Sequence, residues 1–80
     1  MIEISYYDEE KTKLRSEIHK NGKGDRHRED GPSYQGWDES GQKQIEVWHL
    51  DGQWHRLDGP AYLDHGGGLR GSWYIYGKRV

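Results

Sequence analysis

His27-Arg28-Glu29-Asp30-Gly31-Pro32-Ser33-Tyr34 is an octapeptide that this chain of 80 residues contains twice. The second copy begins 28 positions later and reads His55-Arg56-Leu57-Asp58-Gly59-Pro60-Ala61-Tyr62. Six of the eight residues are identical in the two copies, and Ser33 is exchanged for another small residue, Ala61. Two such copies in so short a chain indicate an internal repeat.

The similarity extends beyond the octapeptide, although its flanks align with other shifts. A shift of 30 positions places Ile18 on Trp48, and a shift of 25 places Trp48 on Trp73. We attribute the unequal shifts to turns of different length, including an extra pair of residues, Gly24-Asp25, in the first connection. The chain is therefore predicted to form one domain of three units, at approximately 1-31, 32-59 and 60-80.

The composition indicates a small ordered protein with little aliphatic core. Leu, Ile and Val together number 12, there is no Phe, and the formal net charge is −2. Four Trp and six Tyr supply the missing apolar surface, and aromatic side chains suit a pleated sheet. The absence of Cys excludes disulfides and thiolate metal sites. No apolar run approaches the ~20 residues of a membrane-spanning helix, and the excess of acidic over basic residues disfavours nucleic acid as a partner.

Alternating apolar and polar residues, separated by turn signals, predict β-strands. Residues 2–7 alternate in this way, Asn21-Gly22 and Asp51-Gly52 tolerate positive φ in tight turns, and three glycines at 66–68 mark a further reversal. We predict an all-β fold, an antiparallel meander of about six short strands built from roughly three repeated β-hairpins, in a single-layer or strongly twisted sheet. The predicted strands lie at 2–7, 13–20, 33–37, 44–50, 61–65 and 72–77.

A structural role is predicted for the His-Arg-x-Asp-Gly-Pro core of the octapeptide. Asp-Gly tolerates positive φ, the following Pro presets φ, and the Asp carboxylate can accept from nearby backbone N–H groups. The Asp can also pair with the Arg two positions earlier, or stacked units can set the Arg of one beside the Asp of the next and so define the register. The residues assigned to this role are His27, Asp30, Gly31 and Pro32 in the first copy and His55, Asp58, Gly59 and Pro60 in the second.

No catalytic, cofactor or metal site is predicted. The histidines lack the His-x3-His and His-x2-Glu spacings of metal ligands, and no Ser or Lys stands in a nucleophile context. The glycines at 66–68 lack the strand-to-helix setting of a phosphate-binding loop. Residues that recur at the same place in each unit are more typical of architecture than of an active site, so we expect a chain that is not an enzyme.

The aromatic side chains are too numerous for one thin core, and exposed aromatic patches mark contact surfaces. Trp48 and Trp73 occupy equivalent positions and are expected to pack between hairpins. The candidate binding residues are the other aromatics near the turns together with two arginines: Trp37, Trp54, Tyr74, Tyr76, Arg28 and Arg56.

The pattern Trp-[His/Tyr]-x-x-Gly followed by His-Arg-x-Asp-Gly-Pro-[Ala/Ser] resembles the variant MORN-like repeats of small bacterial, phage and giant-virus proteins. The resemblance covers nearly the whole chain, with departures at Gly24-Asp25, at Ser33 in place of Ala, and at Ile18 in place of Trp. It implies a stack of β-hairpins that serves as a binding scaffold. Some bacterial relatives are labelled antitoxins by association.

These observations lead us to expect a non-catalytic module that binds a larger protein through an aromatic sheet face and charged turns. The resemblance favours a phage- or prophage-encoded inhibitor or antitoxin-like protein in the cytoplasm of a bacterial host or virus-infected cell. Open edge strands favour self-association as another outcome. Two further classes stay open: carbohydrate or cell-wall binding by aromatic hairpins, and single-stranded nucleic acid on an aromatic platform with Arg15, Arg26, Arg28, Arg56 and Arg70.

Overall fold

The computed structural model describes residues 1–66 and 70–80, and the regular elements in these ranges are all β-strands. The predicted reversal at 66–68 falls largely outside the described residues. The strands are β1 Ile2–Tyr6, β2 Leu14–His19, β3 Tyr34–Trp37, β4 Lys43–Val47, β5 His49–Leu50, β6 Gln53–Trp54, β7 Tyr62–Asp64, β8 Arg70–Ser72, β9 Tyr74–Ile75 and β10 Lys78–Arg79.

Six of the strands form one antiparallel sheet in the order β1-β2-β3-β4-β7-β8. Each strand pairs with the next main-sheet strand along the chain, which is the connectivity of a meander. The molecule measures 39 × 34 × 15 Å. The molecule is therefore flat, with a shortest dimension less than half of either of the other two. The predicted all-β antiparallel meander is confirmed.

The remaining four strands form two small hairpins, β5 with β6 and β9 with β10. Each hairpin closes through two residues that both have positive φ, namely 48° and 83° at Asp51-Gly52 and 47° and 80° at Tyr76-Gly77. Positive φ at both positions defines the type I′ turn, whose twist matches that of the flanking strands. A single bridge between Lys20 and Arg26 stands at the corresponding place in the first part of the chain.

The predicted strands at 44–50 and 72–77 are each interrupted, at Trp48 and Trp73. The Trp48 N–H donates to the Ala61 carbonyl beside the main sheet, whereas its own carbonyl accepts from His55 N in the small hairpin (2.7 and 3.0 Å). The chain therefore passes from one sheet to another at Trp48. In the same way Trp73 accepts from the N–H of Val80 (2.9 Å).

The corresponding residue in the first part of the chain is His19, and the alignment of Ile18 with Trp48 is wrong. His19 donates to the carbonyl of Ser33 (2.7 Å) and accepts from the N–H of His27 (2.9 Å), as Trp48 does with Ala61 and His55. His27 lies eight positions after His19, whereas His55 lies seven positions after Trp48. The first small turn is therefore longer by one residue, where the sequence alignment suggested two.

The small hairpins fold over one face of the main sheet. The Trp54 ring of β6 stacks on Tyr62 of β7 with a centroid distance of 5.2 Å. In the first part of the chain Arg26 and Tyr34 take the places of Trp54 and Tyr62. There the guanidinium of Arg26 lies 4.8 Å from the ring centre of Tyr34. Within the described residues the only buried apolar side chains are Val47 and Ala61. Aromatic and cation–π contacts therefore carry much of the packing that aliphatic side chains provide in larger cores.

Candidate binding groove between two charged loops

Each copy of the octapeptide folds as a loop that is closed by its own arginine. Arg28 donates through Nε to the Asp30 carboxylate (3.0 Å) and through Nη1 to the carbonyl of Pro32 (3.3 Å). Arg56 makes the same pair of bonds in the second copy, at 3.1 and 3.3 Å. Of the two arrangements considered from sequence, the pairing within one loop is the one adopted, and the ladder from unit to unit is wrong. The Arg28 guanidinium also lowers the pKa of the Asp30 carboxyl through this bond and its charge.

The glycine of each loop gives the guanidinium room to lie against the backbone. A Cβ on Gly59 would stand 2.6 Å from Cζ of Arg56, and a Cβ on Gly31 would stand 2.8 Å from Cζ of Arg28. Such distances are far inside van der Waals contact. A side chain at either glycine would therefore displace the guanidinium from its position against the backbone.

We expect Gly59→Ala to lower the free energy of unfolding by about 1–2 kcal/mol, because the added methyl group displaces Arg56 from its two hydrogen bonds and from the ring of Trp48. Gly22→Ala is the matched control, since a Cβ there meets no atom within 4 Å, and it should change stability by only a few tenths of a kcal/mol. Urea unfolding followed by circular dichroism measures both. Equal unfolding midpoints for Gly59→Ala and wild type would show that the glycine does not confine Arg56.

The histidine of each loop attaches the loop to the small hairpin that follows it. His27 Nδ1 accepts from the N–H of Asp51 (2.9 Å), and His55 Nδ1 accepts from the N–H of Tyr76 (3.0 Å). Both donors belong to turn residues with positive φ. In each case the histidine satisfies a backbone N–H that the tight turn leaves without a strand partner. The octapeptide thus connects one hairpin to the next.

An open groove of about 500 Å³ lies between the two loops. Its apolar part consists of Trp48, Leu50 and Leu57, and Leu57 is 73% exposed. The Arg56 guanidinium lies 4.0 Å from the ring centre of Trp48, which holds the side chain in place by a cation–π contact. The groove is bordered by further residues of both loops: Arg28, Glu29, Asp30, His55, Arg56 and Asp58.

The border of the groove carries charges of both signs. Two arginines and three carboxylates line it, and each arginine is held by an ion pair within its own loop. Glu29 stands at the variable position of the first copy, where the second copy has Leu57. The two loops therefore present different side chains to the groove at the variable position of the His-Arg-x-Asp-Gly-Pro sequence.

The predicted aromatic candidates do not lie on one surface. Trp54 and Tyr74 pack edge to face at 4.8 Å and are half-buried, so they belong to the contact between small hairpins. Tyr76 is exposed and lies 4.2 Å from the His55 ring. Trp37 lines a separate cleft on the main sheet.

Three apolar residues that are not among the predicted binding residues line the groove: Trp48, Leu50 and Leu57. Trp48, which is predicted to pack between hairpins, lines the groove, and its equivalent Trp73 is 48% exposed. Leu57 was not selected at all. The signal that identifies it is an apolar residue at the variable position of a loop that is otherwise polar.

A serine and a histidine are close together in the interior, which is a geometry that nucleophilic enzymes use. Ser33 Oγ lies 2.5 Å from His49 Nδ1 and donates to the Val47 carbonyl at 3.0 Å. Ser33 is 0% exposed and His49 is 5% exposed, so no substrate can reach the hydroxyl, and the pair is structural. Among residues 1–66 and 70–80 no three His, Asp or Glu side chains come together to hold a metal ion.

The part of the chain that the structure describes contains no helix long and apolar enough to cross a membrane. Comparisons of the chain with protein families, with curated proteins and with solved structures found no match.

Proposed function

We propose that this chain is a non-catalytic module that binds another protein through the groove between its two charged loops. The observation that carries the proposal is the lining of the groove, which combines three apolar side chains, Trp48, Leu50 and Leu57, with charges of both signs. Protein interfaces have this organisation, an apolar centre that supplies affinity and a polar rim that excludes water and sets orientation. Leu57 is the anchor, because it projects into solvent beside an already positioned Trp.

The rigidity of the loops supports the same proposal. Arg28 and Arg56 are each held by a carboxylate and a carbonyl of their own loop. Side chains that are already ordered lose little conformational entropy when a partner binds, and this raises affinity for a given contact area.

The groove suits sugars and nucleic acids less well. One face of the Trp48 ring is covered by the Arg56 guanidinium at 4.0 Å, so that face is not open for stacking on a sugar. Three carboxylates against two arginines give the border a net negative charge, which opposes a phosphate backbone.

The partner proposed for the groove is a larger protein with a small apolar pocket for Leu57 between charged residues. The MORN-like resemblance leads us to propose that this binding inhibits the partner in the manner of a phage-encoded or antitoxin-like protein, in the cytoplasm of a bacterial or virus-infected cell. Self-association through β1 is a second candidate. Its side chains Ile2 and Ile4 are exposed, and β1 is an edge strand of the main sheet.

The proposal is tested with a photo-crosslinking amino acid placed at position 57 and, in a control protein, at Glu39, which is exposed in the turn between β3 and β4. We expect one protein of defined mass to be captured from position 57 and not from position 39. With that protein purified, Leu57→Asp should weaken binding about 30-fold or more, because a charge enters the apolar centre of the interface. Leu57→Asp should change stability by less than about 0.5 kcal/mol, since the side chain is exposed.

Two results would contradict the proposal. One is capture of the same proteins from both positions. The other is a purified partner that binds Leu57→Asp as tightly as wild type. A captured protein that proves to be a second copy of this chain would favour self-association.

A further inference from the structure

A second concave site lies on the main sheet and shares no lining residue with the groove between the loops. It begins with a row of small residues. Ser5 faces Ser16 across β1 and β2, and Ser16 faces Gly36 across β2 and β3. Residues directly opposite each other share one face of a sheet. Neighbouring strands are about 4.8 Å apart, so this row spans about 10 Å. The Ile45 side chain covers Gly36, so Ser5, Ser16 and Ile45 form the shallow floor of a site that we call the trough.

Aromatic side chains border the trough on two sides. Tyr34 lies two residues before Gly36 on β3, and Trp37 follows it. Tyr7 joins the same border and donates through its hydroxyl to the Trp37 carbonyl at 2.8 Å. The trough encloses about 500 Å³, which lies in the range of small-ligand sites. A flat floor between aromatic rings suits a planar group.

Two arginines give the trough a positive charge although the chain as a whole is acidic. The Arg15 guanidinium lies 5.8 Å from the ring centre of Tyr7, and that of Arg26 lies 4.8 Å from the ring centre of Tyr34. Within residues 1–66 and 70–80 neither guanidinium forms an ion pair, unlike Arg28 and Arg56. Guanidinium groups that are held over aromatic rings keep their N–H edges available for an anion.

Among the described residues, one carboxylate lines the trough, and it is already hydrogen-bonded within its own turn. Asp38 accepts hydrogen bonds from both the backbone and the hydroxyl of Ser40, from Gln42 N and from Gln44 Nε2. These hydrogen bonds lower the pKa of Asp38, and the bond from the Ser40 hydroxyl makes the largest contribution. The carboxylate thus stays ionised and engaged with its own turn, and it leaves the arginines without a partner.

The trough also offers a hydroxyl donor. Ser5 Oγ and Ser16 Oγ are 2.6 Å apart, so one hydroxyl donates to the other. Two hydroxyl groups carry two protons and only one of them lies between the oxygens. The second O–H can donate to a ligand that lies over the floor.

We propose that the trough binds a nucleotide, with the planar base over Ser5, Ser16 and Ile45 between the aromatic side chains and the phosphate at the guanidinium groups of Arg15 and Arg26. The chemistry required is a flat ring system joined to a phosphate, and it is shared by a free mononucleotide and by one residue of a single strand. The site and its charge are distinct from the groove between the loops, so the proposal stands independently of the protein-binding function.

The experiment is a titration of the full chain, labelled with ¹⁵N and followed by amide chemical shifts, with adenosine monophosphate as the probe. We expect saturable shifts at Ser16, Gly36 and Trp37. Adenosine and inorganic phosphate should each bind at least about tenfold more weakly, since each lacks one half of the required chemistry. Shifts confined to the loop groove, or inorganic phosphate binding as tightly as the nucleotide, would overturn the proposal.

Arginine variants test which side chains hold the phosphate. Arg15→Gln and Arg26→Gln are each expected to weaken binding of the nucleotide about tenfold, the loss expected for one charge-assisted hydrogen bond. Arg79→Gln is the matched control. Arg79 in β10 is the structural equivalent of Arg26 in the first small turn, and both correspond to Trp54 in β6. Arg15 lies outside the small turns, so its variant remains informative if Arg26→Gln reduces folding. Unchanged affinity in Arg15→Gln overturns the proposal.

A ten-residue oligothymidylate distinguishes the two sources of the nucleotide. Binding with the same shifts but tighter than the mononucleotide assigns the trough to a single strand, and equal or weaker binding assigns it to a free nucleotide. If the oligonucleotide binds but shifts only amides outside the trough, the assignment of this site fails.

Discussion

Trp54→Ala is expected to lower the free energy of unfolding by about 3 kcal/mol. The Trp54 ring stacks on Tyr62 at 5.2 Å and meets Tyr74 edge to face at 4.8 Å. It therefore joins the main sheet to two small hairpins in a molecule whose aliphatic core is very small. A domain of this size has a total stability of only about 4–12 kcal/mol, so the loss would remove a large fraction of it.

Trp73→Ala is the matched control for this prediction. Trp73 is 48% exposed, and its removal should cost less than about 1 kcal/mol. Urea unfolding followed by far-ultraviolet circular dichroism measures both variants without depending on tryptophan fluorescence. If Trp54→Ala unfolds at the same urea concentration as wild type, Trp54 is not a packing residue, and its role as a binding residue, predicted from sequence, would be favoured.

Acidification from pH 7 to pH 4 is expected to destabilise the protein by about 2–3 kcal/mol through one group, His49. Burial, with a smaller contribution from the charge of Arg26, lowers the pKa of His49 to about 4. In the unfolded chain the same imidazole has a pKa of about 6.5. Between these values the unfolded state binds the proton and the folded state does not, so stability present above pH 6.5 is lost as the pH falls toward 4. The slope approaches about 1.4 kcal/mol per pH unit in this interval.

The double variant Ser33→Ala/His49→Tyr removes this titration. It replaces the Ser33–His49 pair with an Ala–Tyr pair that the protein already contains elsewhere. Ala61 and Tyr74 occupy the equivalent positions in the last part of the chain, because Arg28 N donates to the His49 carbonyl as Arg56 N donates to the carbonyl of Tyr74. Urea unfolding at pH 7.0, 5.5 and 4.5 should show a flatter dependence in the double variant. The same slope in both proteins would assign the acid sensitivity to other groups. The pKa values of Asp8, Asp30, Asp38 and Glu46 are lowered, so these carboxyls act mainly at the acid end of the interval.

The all-β meander could be predicted because its signals are local. Alternation of apolar and polar residues indicates a strand, and Asp51-Gly52 indicates a tight turn, whatever the rest of the chain does. The interruptions at Trp48 and Trp73 could not be predicted in this way. At such a junction the residue's N–H bonds to one sheet and its carbonyl bonds to another. Neither its side chain nor the apolar–polar alternation around it differs from that of a residue inside a continuous strand.

The candidate sites were harder to predict than the fold. Arg28 and Arg56, which the sequence predicts as binding residues, line a surface groove, but which other residues line it depends on where the chain leaves the main sheet. The trough depends on register, since Ser5, Ser16 and Gly36 are neighbours only when three strands pair in one alignment. A slip of one residue would place them on opposite faces.

By itself the sequence determined the strand class, the tight turns and the recurrence of the octapeptide, since each follows from the local conformational preferences of a few adjacent residues. Only the tertiary structure decided what the octapeptide does. Its arginine closes its own loop, its histidine holds the next hairpin, and the space between two loops becomes a groove that Trp48 lines. These outcomes depend on distances between residues far apart in the chain, and such distances are set by strand pairing and packing rather than by local preference.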